Sequence, residues 1–131
     1  MGGEDKCFIL EEVKAKQPIH RVNVQKRLSD MAIYNGVAHL AGQVPEDPTL
    51  DITGQTEQVL AIIDTLLQEA GINKSRILMA QIFIANMAEF DGMNKAWDAW
   101  VADGNAPPRA TIEARLANPN FKVEVVVTAA V

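Results

Sequence analysis

Arg109 and Glu124 are the two residues whose type and setting best suit chemistry in this chain. Arg109 follows Pro107-Pro108 and opens an alternating stretch, Arg109–Leu116. The pyrrolidine rings fix φ just before it, so its backbone is held stiffly while the guanidinium can project at a strand end. A planar guanidinium offers paired N–H donors that match a carboxylate. Glu124 lies inside Lys122-Val-Glu-Val-Val-Val-Thr128, a run that otherwise calls for burial. A carboxylate there is costly unless it is paired or hydrogen-bonded. Burial would also raise its pKa toward the range useful to a general acid or base. If Arg109–Leu116 and Phe121–Val131 are antiparallel strands joined at Ala117-Asn-Pro-Asn120, the two side chains can lie near each other. A carboxylate site with its own acid–base group and a plain buried ion pair account equally well for that pattern.

Other chemistries find little support. His20 and His39 are far apart, Cys7 sits near the N-terminus, and no metal-ligand spacing connects them. His39 falls within an apolar stretch and reads as a packed or hydrogen-bonded structural histidine. No histidine is placed with a nucleophile, and no glycine-rich loop suits a phosphate. Trp97 and Trp100 stand at helical spacing among other apolar residues and read as packing.

These candidates need a scaffold, and the hydropathy pattern supplies one. Met31-Ala-Ile-Tyr34 and Val37-Ala-His-Leu-Ala41 flank Asn35-Gly36. That pair suits a two-residue hairpin turn, whose central residues both need positive φ. Residues 55–70 carry Val59, Leu60, Ile62, Ile63, Leu66, Leu67 and Ala70 on one helical stripe, closed by Gly71. Ile77–Met87 reads as a largely buried strand. A second helix is expected from Ala88 to Ala102, with Phe90, Met93, Trp97, Trp100 and Val101 on one face. Asp103-Gly104-Asn105 ends it. Arg109–Leu116 and Phe121–Val131 complete the chain, the latter apolar enough to be central, and residues 1–19 read as a lead-in. The expected order is hairpin, helix, strand, helix, strand, strand. That is an α+β domain with two helices on one face of a mixed sheet, and a second copy of the chain is the economical cover for the other face.

The bulk properties agree. A chain of 131 residues with 48% hydrophobic and 22% charged residues is one ordinary globular domain, 1–131. A net charge of −5 and a pI near 4.9 disfavour nucleic-acid binding, which draws on clustered Lys and Arg. One cysteine permits no intrachain disulfide, and neither a signal peptide nor a membrane-spanning run is visible, so a cytoplasmic setting is expected.

Ala41-Gly-Gln-Val-Pro45, Pro108-Arg109 and Lys122-Val-Glu-Val125 together resemble the signature of the RidA/YjgF family of enamine/imine deaminases, often labelled endoribonuclease L-PSP. The likeness runs from about Leu28 to the C-terminus. The fifteen-residue spacing of Arg109 and Glu124 matches that of the family's carboxylate-binding arginine and catalytic glutamate. Asn94 matches an active-site asparagine, and Met93–Val131 is most similar to the YoaB-like branch. The resemblance implies a chorismate-mutase-like α+β fold and a homotrimer with active sites at its subunit interfaces. It also implies hydrolysis of 2-imino acids to 2-keto acids and ammonia without metal or organic cofactor. Arg109 and the backbone of Gly42 would then hold the substrate carboxylate. Glu124 would be the acid/base that activates water, helped by the carbonyl of Thr111. Three positions depart from the pattern: Leu28 replaces a tyrosine of many members, Thr111 a cysteine of some, and Val126 a second glutamate. The competing readings are a non-catalytic binder of small carboxylates and an endoribonuclease or translation inhibitor.

Overall fold

Asn35 and Gly36 both adopt positive φ, at 53° and 78°, and join strand β2 (Ser29–Tyr34) to β3 (Val37–Leu40). The computed structural model describes residues 17–131. Ahead of that hairpin lies a strand the sequence pattern did not suggest, β1 (His20–Val24), paired antiparallel to β2. Its side chains are mostly exposed, so only its backbone pairing marks it as a strand. Cys7 and most of the expected lead-in lie outside the described residues.

Helix α1 runs over Ile52–Glu69, beginning three residues before the expected start. Asp51 caps it, accepting the Gly54 N–H at 2.8 Å, so Thr53 and Gly54 belong to the first helical turn. At its other end Gly71 has φ of 77°. The Ile72 N–H reaches the Leu67 carbonyl and the Gly71 N–H the Gln68 carbonyl, which closes a Schellman motif. A 3-10 turn at Met87–Glu89 leads into helix α2 (Phe90–Trp100), shorter at both ends than expected. The remaining strands are β4 (Ile77–Ile84), β5 (Arg109–Glu113) and β6 (Val123–Ala130).

The six strands form one mixed sheet in the order β1-β2-β3-β6-β4-β5. Strand β6 is central, pairing antiparallel with both β3 and β4, while β5 is an edge strand parallel to β4. The expected β5–β6 pairing is therefore wrong: β4 lies between them. A chain leaving β5 has only the short 114–122 segment to reach β6, and it crosses the end of β4 to do so. There the Ala85 N–H bonds the Lys122 carbonyl and the Ala114 N–H the Ile84 carbonyl.

Both helices pack on one sheet face. Met31, Ala38, Leu40, Ala80, Ile82, Ile84, Val123, Val125, Val127 and Ala129 point into a single core with Val59, Leu60, Ile63, Leu67, Met93 and Trp97. Strand β4 is thus buried on that face only, with Gln81 and Phe83 half-buried on the other. The opposite face stays open. Val126, Thr128, Gln81 and Phe83 are half-buried there, and Tyr34 and Ile112 are exposed. His39, expected to be packed or hydrogen-bonded, is exposed on that face of the single chain, opposite Thr128. Among the described residues, no helix is long and apolar enough to cross a membrane.

Candidate functional site

Helix α2 presents Phe90, Asn94 and Trp97 on one face, at the i, i+4, i+7 spacing that stacks side chains. Arg109 meets all three. Its Nη1 donates to Asn94 Oδ1 at 2.7 Å. The guanidinium carbon lies 5.2 Å from the Trp97 ring centroid and 5.9 Å from that of Phe90, within cation–π range of both. Arg109 can reach them because it pairs with Ala80, whose side chain is buried beneath the helices, and directly paired residues share a face.

Glu124 occupies the other side of the sheet. It pairs with Phe83 and alternates with buried Val123 and Val125, so its half-buried carboxylate projects onto the open face. Two strand spacings and three residues along β4 separate the two positions, which puts their Cα atoms roughly 14 Å apart. The side chains point to opposite faces, so neither a shared pocket nor an ion pair joins them within one chain. Among the described residues the ion pair present is Lys122–Glu89, at 3.7 Å.

Gly42 accompanies Glu124. After His39, which pairs with Thr128, the chain pairs again with β6 only at Gln43, opposite Val125. Between those two pairs three residues, 40–42, face two, 126–127, which is a bulge. The Gln43 N–H and carbonyl both bond to Val125, at 2.9 and 3.0 Å, and hold the bulge in place. Gly42 is thereby pressed against the glutamate: a Cβ on it would lie 2.9 Å from Glu124 Cδ and closer still to Oε2. The absent side chain leaves room for the carboxylate. Leu28, 49% exposed just ahead of β2, lies at the same end of the sheet, where the Ala41 N–H bonds the Asp30 carbonyl.

Thr111 sits two residues beyond Arg109 on the edge strand. Parallel pairing with β4 uses the backbone of alternate residues. The carbonyl of Pro108 and the N–H of Ala114 face inward, so the Thr111 carbonyl turns outward along the free edge of the sheet.

The five candidate residues thus fall into two groups. Arg109, Asn94 and Thr111 lie where β5 meets α2, and Gly42 and Glu124 lie on the open face at β6. The sequence missed the aromatic partners of Arg109, Phe90 and Trp97, which had read only as packing. Their shared spacing with Asn94 was the available signal. Nothing local in the sequence announced the bulge that brings Gly42 to Glu124. A cavity of about 740 Å³ lies elsewhere, lined by Ala85, Glu113–Ala117 and the turn before β6.

Known proteins resemble this chain in sequence and in fold. Residues 18–131 match the family described as Endoribonuclease L-PSP. The chain is 59% identical over 113 residues to a RutC family protein of Haemophilus ducreyi, covering 86% of this chain and 97% of that one. It is 48% identical over 113 residues to the RutC family protein YoaB of Escherichia coli K12, covering 86% and 98%. A solved structure from Neisseria meningitidis, NMB1025, described as a member of the YjgF protein family, superimposes with a TM-score of 0.84 at 42% identity. That match covers 86% of this chain and 94% of the other.

Proposed function

The chain belongs to the YjgF/RidA family, described as endoribonuclease L-PSP, and from that premise we propose that it hydrolyses small 2-imino acids to 2-keto acids and ammonia. The observation that carries this reading is the setting of Arg109. Its guanidinium is fixed by a neutral amide and two aromatic rings, with no described carboxylate opposing its charge. A half-buried arginine held this way is a ready receptor for a ligand carboxylate.

The chemistry then asks for one proton-transfer group. Glu124 takes a proton from water as the oxygen attacks the imine carbon, and returns it to the nitrogen. The carbinolamine so formed expels ammonia and leaves the keto group. An imine is electrophilic already, so orientation and one acid–base residue are sufficient. The outward-facing carbonyl of Thr111 is a suitable acceptor for the attacking water.

Arg109 and Glu124 must act on one molecule although a single chain holds them apart, so the working site is formed between copies. The free edge of β5 in one copy would lie against the open face of the next, joining Arg109, Asn94 and Thr111 of the first to Gly42 and Glu124 of the second. A closed ring of three repeats that contact without leaving an unmatched surface, and it covers the half-exposed apolar face.

Turnover of 2-iminobutanoate, generated by an amino-acid oxidase and followed as loss of semicarbazide adduct, tests the activity. Arg109→Ala and Glu124→Gln should each abolish it. Mixed in equal amounts from the unfolded state and refolded together, the two variants should recover about one quarter of wild-type activity, because one interface in four then carries both intact residues. Active wild type with no recovery in the mixture would place the site within one chain. A wild type that binds 2-oxobutanoate yet never accelerates imine decay would leave a carboxylate-binding protein instead. The net charge of −5 gives RNA cleavage no comparable support.

A further inference from the structure

Phe90 and Trp97 are more than core filling. Arg109 has a long side chain with several free torsions, and immobilising such a side chain on ligand binding weakens affinity. Here the immobilisation is already in place. Pro107 and Pro108 stiffen its approach, Asn94 Oδ1 takes one N–H at 2.7 Å, and two rings flank the guanidinium at 5.2 and 5.9 Å. A guanidinium has five N–H donors, and ring faces attract the cation without consuming any of them. A carboxylate in the place of the rings would hold Arg109 equally well but would neutralise it. The rings therefore fix the group while keeping both its charge and its donors open.

We propose that Trp97 and Phe90 are positioning residues that preorganise Arg109 for a carboxylate ligand. This rests on the reading of Arg109 as the carboxylate receptor. Trp97 is 5% exposed and anchored in the core, so its ring is the fixed wall, while the half-buried Phe90 supplies the second ring, 5.9 Å from the guanidinium carbon. Asn94 sets the rotation of the guanidinium between them.

The test uses the full chain and has two independent readouts. In ¹⁵N NMR of the unliganded protein, ring currents from Trp97 and Phe90 should displace the Arg109 Nε–H resonance from its ordinary position. Trp97→Leu should return it, and Trp97→Phe should retain most of the displacement. In calorimetry with 2-oxobutanoate, Trp97→Leu and Phe90→Leu should each weaken binding, by roughly five- to thirty-fold for Trp97. Trp97→Phe should recover most of the loss. Neither substitution should matter further once Arg109→Ala is present.

Because Trp97→Leu also opens the core, the half-buried Phe90→Leu decides the question should the former fail to fold. Folded Leu variants that bind 2-oxobutanoate with wild-type affinity, in a protein where Arg109→Ala abolishes binding, would overturn the inference. A wild-type protein indifferent to Arg109→Ala would instead overturn the carboxylate reading, while the NMR displacement would still report whether the rings hold the arginine.

Discussion

Replacing Gly42 by alanine separates catalysis from folding more cleanly than any change at the charged residues. Gly42 is not there for a left-handed backbone, since the described glycines with positive φ are Gly36, Gly71 and Gly104. Alanine is therefore permitted by the main chain, and it narrows the unfolded ensemble, a gain of about 0.4–1 kcal/mol. The obstacle is Glu124, whose Cδ would lie 2.9 Å and Cγ 3.2 Å from the new methyl. Carbon atoms prefer about 3.5–4.0 Å, so the carboxylate must withdraw by about an ångström. The side chain can do this by leaving its rotamer, at a cost of about 0.5–1.5 kcal/mol. The two contributions nearly cancel, so Tm should move by less than about 5 °C. Catalysis is less forgiving: a displacement of that size in a proton-transfer group reduces turnover by about 100-fold. The assay is kcat for 2-iminobutanoate beside a thermal melt, with 2-oxobutanoate affinity as the control for an intact Arg109. A Gly42→Ala protein that is folded and turns over at the wild-type rate would refute the reasoning, because the contact with Glu124 would then have no bearing on the reaction.

Three further outcomes follow from the packing. Gln55 is fully buried; the two N–H of its Nε2 are shared among the carbonyls of Pro48, Leu50 and Asn120, and its Oε1 accepts the Lys122 N–H at 2.8 Å. Gln55→Leu strips these backbone groups of partners, so chemical denaturation should show a loss of about 3 kcal/mol, and unchanged stability would mean that water replaces the amide at no cost. In α2, a Cβ on Gly92 would lie 2.6 Å from Ile52 Cγ2. Gly92→Ala should thus destabilise by about 1–3 kcal/mol despite better helix propensity, with Ile52→Ala relieving part of it in a double-mutant cycle. Finally, the Thr49 hydroxyl, and then its backbone N–H, hold the Asp47 carboxyl below its ordinary pKa of 3.8. A depressed carboxyl stabilises the fold above its unfolded pKa and loses that contribution as pH falls through the folded value. The stability gap between wild type and Thr49→Val should therefore be open at neutral pH and close below pH 3.8; a gap that widens in acid would contradict the assignment.

Where a feature depends on neighbours a few residues away, the sequence was sufficient. Asn35-Gly36 marked its turn, Gly71 its helix end, and the apolar stripe of α1 its buried face, because backbone φ and helical periodicity are local properties. Asp51 capping a turn that contains Gly54 was less visible, since glycine weighs against helix until the cap is counted. β1 was not singled out: Arg21-Val-Asn-Val24 alternates over only four residues, and with four of its five residues exposed the strand exists through its pairing with β2.

The residue types at Arg109, Asn94, Glu124, Gly42 and Thr111, and their likeness to a family, were legible in the chain. How they are grouped was not. Alternation in Arg-Ala-Thr-Ile-Glu113 favours burying Ala110 and Ile112, yet the structure turns Arg109 and Thr111 toward the helix side and leaves Ile112 exposed on the open face. In β6, Glu124 alternates between valines while Val126 shares its own face, so the pattern could not say which side meets the helices. Those phases are set by β4, which lies between the two strands and gives each its register over long sequence separations. Side-chain direction reverses with every residue of a strand, so that register alone decided that Arg109 meets α2 and Glu124 faces the open side.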